Sequence, residues 1–249
     1  MNPQAYTEMA QVQAAHWWYA ARREILHGQL ERLHLPPGAD ILEVGSGTGA
    51  NLDLLAGFGN VVALEMTPEA IALAEARDAS QPGRVTMRQG HCPEDLAAIT
   101  QRFDLICLFD VLEHIENDVD SLARLPALLK PGGRLMLTVP AYQWMWGPHD
   151  EYFHHKRRYD CRLLADRCRA AHLAVARLDH FNTLLFPLAV LDRLVAKLTG
   201  RRSCATRVPP RPLNAVLHRV FGLERHLLDH VHLPFGLSIF LLAQPQVGT

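Results

Sequence analysis

The sequence predicts an α/β fold, a doubly wound and mostly parallel seven-stranded sheet with helices on both faces. Three observations carry that expectation. Short β-rich runs, DILEV (40–44), NVVALE (60–65), RVTMRQ (84–89), FDLICLF (103–109) and GRLMLTV (133–139), alternate with helix-length segments, which is the rhythm of βαβ units. The first run leads straight into a glycine-rich stretch, ILEVGSGTGANLDLL (41–55). Over 249 residues, 49% hydrophobic against 20% charged positions supplies one large core and one main domain.

The elements follow in order. Residues 1–35 have helical spacing and carry Trp17, Trp18 and Tyr19 together; adjacent residues cannot all face one side of a helix. They are expected to form an N-terminal helical lid over a domain spanning 36–249, with LPPGAD as the break. Helices are predicted over 50–57, 67–79 and 117–130. Thr67 stands at an N-cap position with Pro68 at the first helical residue, and KPGG closes the third before the fifth strand. Beyond residue 140 the sequence predicts a helix over 161–171, a strand over 173–181 and a last, antiparallel strand within FGLSIFLLAQ (235–244). Between those strands lies a helical insertion, about 182–232, with a basic, proline-rich break GRRSCATRVPPRP (200–212).

Composition narrows the function. A formal net charge of −1 argues against a nucleic-acid partner, which needs a strongly basic face. The five cysteines, at 92, 107, 161, 168 and 204, form no CxxC pair and read as reduced thiols. The N-terminal residues lack a basic segment followed by an apolar one, so no secretory signal is predicted and a cytoplasmic location is expected. The stretch FNTLLFPLAVLDRLVAKL is interrupted by Asn182, Asp192 and Arg193, so no transmembrane segment is expected. The insertion is amphipathic. It either caps the core or makes peripheral contact with a membrane or an apolar substrate.

Glycine in a βα turn is tolerated where the backbone must take φ > 0 or approach something closely. Gly45, Gly47 and Gly49 recur at every second residue, which is not the dinucleotide spacing G-x-G-x-x-G, and no Lys-Ser/Thr pair for a phosphate loop follows. Glu65 ends the second strand, where a carboxylate can bond both hydroxyls of a ribose. On its own it suits a dinucleotide and a nucleoside equally.

Taken with GHCPEDL (90–96), FDLICLFDVLEHI (103–115) and LLKPGGRLMLTVP (128–140), these stretches resemble the class I S-adenosylmethionine-dependent methyltransferases. The likeness covers about residues 38–140. It points to the small-molecule group that includes the ubiquinone-biosynthesis methyltransferases. The resemblance implies a Rossmann-like sheet, S-adenosylmethionine as cofactor and methyl transfer to a small-molecule acceptor. It implies that the first loop meets the methionine portion and Glu65 the ribose. The cofactor contacts it suggests are Glu43, Gly45, Ser46, Gly47, Gly49, Asn51, Glu65, Met66, His91, Cys92 and Asp110. The chain departs from the pattern at Gly90-His91-Cys92, where the family has Gly-Asp; backbone groups with Glu94 or Asp95 would then hold the adenine. Two other readings stay open: different chemistry at the sulfonium, such as cyclisation or aminocarboxypropyl transfer, or a non-catalytic cofactor-binding partner subunit.

The stretch WMWGPHDEYFHHKRRY (144–159) follows the fifth strand, where a substrate loop belongs. His149, Asp150, Glu151, His154 and His155 could ligate a metal, but Lys156, Arg157 and Arg158 would repel a cation, so no metal is expected. An ion-paired loop is the plainer alternative. The favoured reading is a substrate gate in which Tyr142, Trp146, His149, Asp150 and His155, with Tyr19, contact the acceptor. His114, His154 and Tyr159 are the candidate catalytic groups, with His114 alternatively a packing histidine.

Overall fold

The computed structural model describes residues 3–77, 82–199, 208–228 and 230–246. Among them the chain runs α1 (Pro3–Ala15), α2 (Trp17–Glu31), β1 (Ala39–Val44), α3 (Leu52–Ala56), β2 (Gly59–Glu65), α4 (Pro68–Glu75), β3 (Val85–Gln89) and β4 (Phe103–Phe109). It continues α5 (Asp118–Arg124), β5 (Leu129–Pro140), α6 (Pro148–Tyr152), α7 (Cys161–Ala170), β6 (Leu173–Phe181), α8 (Phe186–Thr199), α9 (Arg211–Gly222), α10 (Glu224–Leu227) and β7 (Ser238–Pro245). Cys204 and most of the basic break at 200–212 fall outside the described residues, as do the last two residues of the helix predicted over 67–79.

The seven strands form one sheet in the order β3-β2-β1-β4-β5-β7-β6. Pairs β1–β2, β1–β4, β2–β3 and β4–β5 are parallel, and only β7 is reversed, antiparallel to both β5 and β6. The strand β4 shows why the sheet is covered on both faces. Ile106 and Leu108 enter one core cluster, and Leu105, Cys107 and Phe109 enter the other. That is the period-2 pattern of a strand buried on both sides. Strand order runs outward in opposite senses from the parallel β1/β4 pair, so the crevice at their carboxyl ends is where this architecture places a ligand.

The expected lid divides in two. The N-terminal helix breaks at His16, where Asn214 of α9 accepts from the Trp17 amide (3.0 Å) and donates to the Ala15 carbonyl (3.0 Å). The α2 helix buries Ala21, Ile25, Leu26 and Leu30 in the core. It is a layer of the fold, so the expected lid of residues 1–35 does not include α2. Within the insertion, α9 packs on α2 through Trp17–Phe221 (5.8 Å between rings) and the pair Glu24–His218 (2.9 Å), and α10 adds the Glu24–Arg225 ion pair (2.9 Å). The preceding helix, α8, buries none of its residues.

Candidate functional site

Each of the three glycines has a left-handed φ, +71° at Gly45, +54° at Gly47 and +80° at Gly49, and each has a different reason for being glycine. A Cβ on Gly45 would stand 2.7 Å from the Val111 side chain, and one on Gly49 would be 2.9 Å from Leu52 and 3.0 Å from Ala74. Those two serve close packing of the loop. A Cβ on Gly47 would meet nothing within 4 Å among the described residues. Gly47 therefore faces the open crevice. Its amide donates to Glu65 Oε2 (2.9 Å), and the Thr67 amide donates to Glu65 Oε1 (3.0 Å). These bonds hold the Glu65 carboxylate at the end of β2 and leave each oxygen a lone pair for a further donor.

Behind the loop, Glu43 is buried. Its Oε1 accepts from Asn51 Nδ2 (2.9 Å), while its Oε2 and the Ser46 Oγ lack a partner among the described residues. Burial pushes the Glu43 carboxyl up to about 7, with the Asn51 hydrogen bond and the Arg22 charge opposing and Glu65 adding. Asn51 thus acts through Glu43. Past β2, Met66 is 54% exposed, an apolar side chain open at the mouth of the crevice. After β3, the His91 amide donates to Asp95 Oδ2 (2.7 Å), so Asp95 is the carboxylate that this loop presents. Cys92 departs from expectation. Its thiol packs toward the core and Ser121, and burial raises it to about 11. Only its backbone remains available to a ligand.

At the end of β4, Asp110 sits at φ +56°, a conformation rare for a non-glycine residue. Its carboxylate is 2.5 Å from the Arg22 guanidinium, which also donates to Thr138 Oγ1 (3.0 Å) and lies over the Trp18 and Phe109 rings (5.2 and 5.5 Å). Tyr19 is in the field of both charges, and burial raises its hydroxyl. Arg22 is the residue that sequence reading missed. It is a charge on the apolar stripe 18, 21, 22, 25, 26, 29 of α2, and that violation of the helical period was its visible signal.

The loop after β5 holds the remaining candidates. Asp150 is fully buried, accepting from His155 Nδ1 (2.9 Å), Arg158 Nε (2.7 Å) and the Gly147 amide (2.9 Å). Burial alone would raise this carboxyl, but those bonds and the Arg158 charge hold it well below the ordinary range. Expected as an acceptor contact, Asp150 instead positions His155. Tyr159 is also corrected. It is fully buried, with its hydroxyl donating to Asp118 Oδ2 (2.9 Å), and burial followed by the Asp118 charge raises it far above its usual value. It has no access to a reacting atom and serves packing. His154 lies on an exposed turn at φ +57°, pointed at solvent by the same turn that brings His155 inward.

His155 meets His114 with rings 4.6 Å apart and His149 at 5.9 Å. Burial first, then the His155 charge, lowers both His114 and His149 to about 4, so both are neutral at pH 7. Among the aromatics, Tyr142 (φ +62°) stacks on His180 at 5.4 Å, with its hydroxyl 3.1 Å from His180 Nε2. Trp144, rather than the half-buried Trp146, extends that stack at 5.7 Å and is 52% exposed.

The α1 helix reaches across the crevice. Tyr6 Oη lies 2.9 Å from Thr67 Oγ1, and Thr48 Oγ1 donates to Gln13 Oε1 (2.7 Å). One helix thereby touches both the glycine loop and the start of α4.

Comparison with known proteins agrees with this geometry. A family model described as a methyltransferase domain matches residues 14–187. The chain belongs to that family. A ubiquinone biosynthesis O-methyltransferase of Xanthomonas axonopodis pv. citri (strain 306) is 31% identical over 140 residues, 51% of this chain and 56% of that protein. The enzyme of the same name from Xanthomonas campestris pv. campestris (strain B100) is 34% identical over 105 residues, 41% and 44%. The chain thus spans about half the length of these curated relatives. Among solved structures, a S-adenosylmethionine-dependent methyltransferase from Clostridium acetobutylicum ATCC 824 superposes with TM-score 0.59 at 13% identity, covering 92% of each chain. The [4+2]-cyclase SpnF superposes with TM-score 0.59 at 20% identity, covering 90% of this chain and 81% of that one. These likenesses establish the α/β methyltransferase fold, which hosts more than one chemistry.

Proposed function

We propose that the protein binds S-adenosylmethionine in the β1/β4 crevice and transfers its methyl group to the oxygen of a small-molecule acceptor. The observation that carries this reading is the pair Gly47 and Glu65: an open left-handed glycine whose amide is bonded to a carboxylate at the end of the neighbouring strand. The residues present fit the cofactor. Among the described residues Glu43 Oε2, a buried acceptor, and Ser46 Oγ, a buried hydroxyl able to donate, have no partner; they suit the ammonium and the carboxylate of a methionine moiety. Glu65 suits ribose hydroxyls, Met66 an adenine face, and Asp95, held by the His91 amide, the adenine edge. The curated relatives are named O-methyltransferases, which supports an oxygen acceptor.

When bound, the cofactor supplies a methyl group already activated by a sulfonium. The chain's task is then alignment and exclusion of water. Asp110, fixed by Arg22, faces the cofactor side of the cleft. Tyr19 and the Tyr142–Trp144 stack offer aromatic walls to the acceptor. His114, neutral at pH 7, can accept a proton where the acceptor arrives protonated. Calorimetry with S-adenosylhomocysteine and with NADH tests the cofactor, and S-adenosylhomocysteine is expected to bind more tightly. Product analysis tests the chemistry: S-adenosylhomocysteine marks methyl transfer, whereas methylthioadenosine marks attack on the aminobutyrate chain and would overturn the reading.

The same proposal extends to a surface. No helix among the described residues is long and apolar enough to cross a membrane, yet α8 exposes Leu188, Leu191, Leu194, Val195 and Leu198. A peripheral contact with an anionic lipid surface would cover them.

A further inference from the structure

Just past Asp110 the chain makes a short turn, Leu112–His114, against the loop that carries His155. One ligand atom each from Glu113, His114 and His155 lies within 4.8 Å of the others. Glu113 is 1% exposed, and neither of its carboxylate oxygens has a hydrogen-bond partner among the described residues. A buried carboxylate in that condition is costly unless an ion or a proton completes it. His155 is already oriented. Its Nδ1 is tied to Asp150 (2.9 Å), itself fixed by Arg158 and the Gly147 amide, which leaves Nε2 as the free ligand atom. A carboxylate behind an imidazole is the usual outer partner of a metal-bound histidine. The loop is pinned as well. The Lys156 amide donates to the Glu113 carbonyl (2.7 Å), and the Arg157 guanidinium donates to the Ile115 and Glu116 carbonyls (2.7 Å each).

We propose that Glu113, His114 and His155 bind one divalent first-row transition-metal ion, with Asp150 as the positioning carboxylate behind His155. Two imidazoles and a carboxylate leave coordination positions open, and the donor set suits zinc, iron, cobalt or nickel rather than magnesium or calcium. Tetrahedral bonds of about 2.0–2.1 Å put ligand atoms about 3.3 Å apart. Closing on an ion therefore takes modest side-chain rotations, which Glu113 is free to make because no hydrogen bond holds its oxygens.

The charge objection raised from the sequence does not survive the geometry. Lys156 pairs with Glu116 (3.4 Å), Arg157 with Asp118 (3.2 Å) and Arg158 with Asp150 (2.7 Å). Each of the three cations thus has a carboxylate partner of its own. The site adjoins Asp110. There an ion would take over from His114 the deprotonation of an acceptor hydroxyl, a role that rests on the methyl-transfer reading; metal binding itself does not.

The test uses the full chain, stripped with a chelator, dialysed and titrated with Co(II) chloride while visible absorption and bound metal are followed. One Co(II) per chain with d–d bands of nitrogen and oxygen ligation is expected, displaced by Zn(II). Glu113→Gln, isosteric at a position that makes no side-chain hydrogen bond, is expected to weaken Co(II) by more than about 100-fold, and Asp150→Asn by about 10–100-fold. S-adenosylhomocysteine affinity and circular dichroism are measured on the same samples and should be unchanged in the Gln variant. Failure of S-adenosylhomocysteine to bind any sample would count against the cofactor reading and leave the metal result standing. Wild-type protein that takes up no stoichiometric Co(II), or a Gln variant that binds it as tightly as wild type, overturns the metal site.

Discussion

Glu43 accepts one hydrogen bond, from Asn51, and leaves Oε2 without a partner in the interior. Its carboxyl is raised by burial to about 7, which has two consequences of opposite sign. A folded-state pKa above the unfolded value makes a contribution to stability that is fully present below about 4.5. That contribution is lost as pH rises toward 7. A ligand ammonium, in contrast, needs the ionised carboxylate. Affinity for S-adenosylhomocysteine is therefore expected to rise with pH between about 6 and 8, and Glu43→Gln should flatten that rise. Calorimetry at several pH values checks it, and an equal slope in the Gln variant would assign the dependence elsewhere. At the opposite rim, Glu65→Ala removes a charged acceptor, which predicts a loss of about 1.5–3 kcal/mol in binding. Gly47→Val should abolish binding with an unchanged circular dichroism spectrum. Gly47 and Glu65 were legible in the sequence because a short motif at a strand end has one local geometry. Arg22, Glu113 and Asp150 were not, because their roles come from burial and from partners 88, 42 and 8 or fewer positions away in the chain that only the fold brings together.

At the level of elements, the strands were readable because alternation in runs such as FDLICLF reports a two-sided core directly. The N-terminal helices were not. Their spacing looks continuous, and the break at His16 depends on Asn214, some 200 residues on. That break sets the next prediction. Deleting residues 1–15 removes the Tyr6–Thr67 and Gln13–Thr48 contacts but leaves the α2 layer in place. The protein should stay folded and bind S-adenosylhomocysteine about tenfold more weakly, as expected for two hydrogen bonds of roughly 0.5–1.5 kcal/mol each. Deleting 1–30 also removes Ile25, Leu26 and Leu30 from the core. At roughly 1.5–3 kcal/mol per buried side chain, that loss approaches the whole stability of a typical domain, about 5–15 kcal/mol. Thermal unfolding should distinguish the two truncations: a cooperative transition for the first and none for the second. A second truncation that melts cooperatively near the full chain's midpoint would show that α2 is a lid after all.

On the scale of the whole molecule, and among the described residues, α8 stands largely outside the sheet and its two cores, touching the rest through Phe186. The α8 helix buries nothing, and Leu198 is 87% exposed. Its apolar residues 188, 191, 195 and 198 follow the three-to-four spacing of one helical face, and residues 193–211 contain Arg193, Lys197, Arg201, Arg202, Arg207 and Arg211 with no acidic residue. An apolar face beside a cationic segment fits an interfacial helix on anionic lipid, where each basic residue near the surface contributes about 1 kcal/mol and salt weakens the effect. The Arg193 guanidinium also lies against Gly147, where a side chain would not fit, so a helix seated on lipid would bear directly on the loop that carries His149 and His155. Co-sedimentation with phosphatidylglycerol-containing vesicles is expected to be strong at low salt, weaker at high salt and weak on phosphatidylcholine alone. Leu191→Glu with Leu198→Glu, both exposed and so without cost to the core, should lower vesicle binding at least tenfold while leaving S-adenosylhomocysteine affinity intact. Equal binding by the double variant would mean that α8 is covered by something other than lipid.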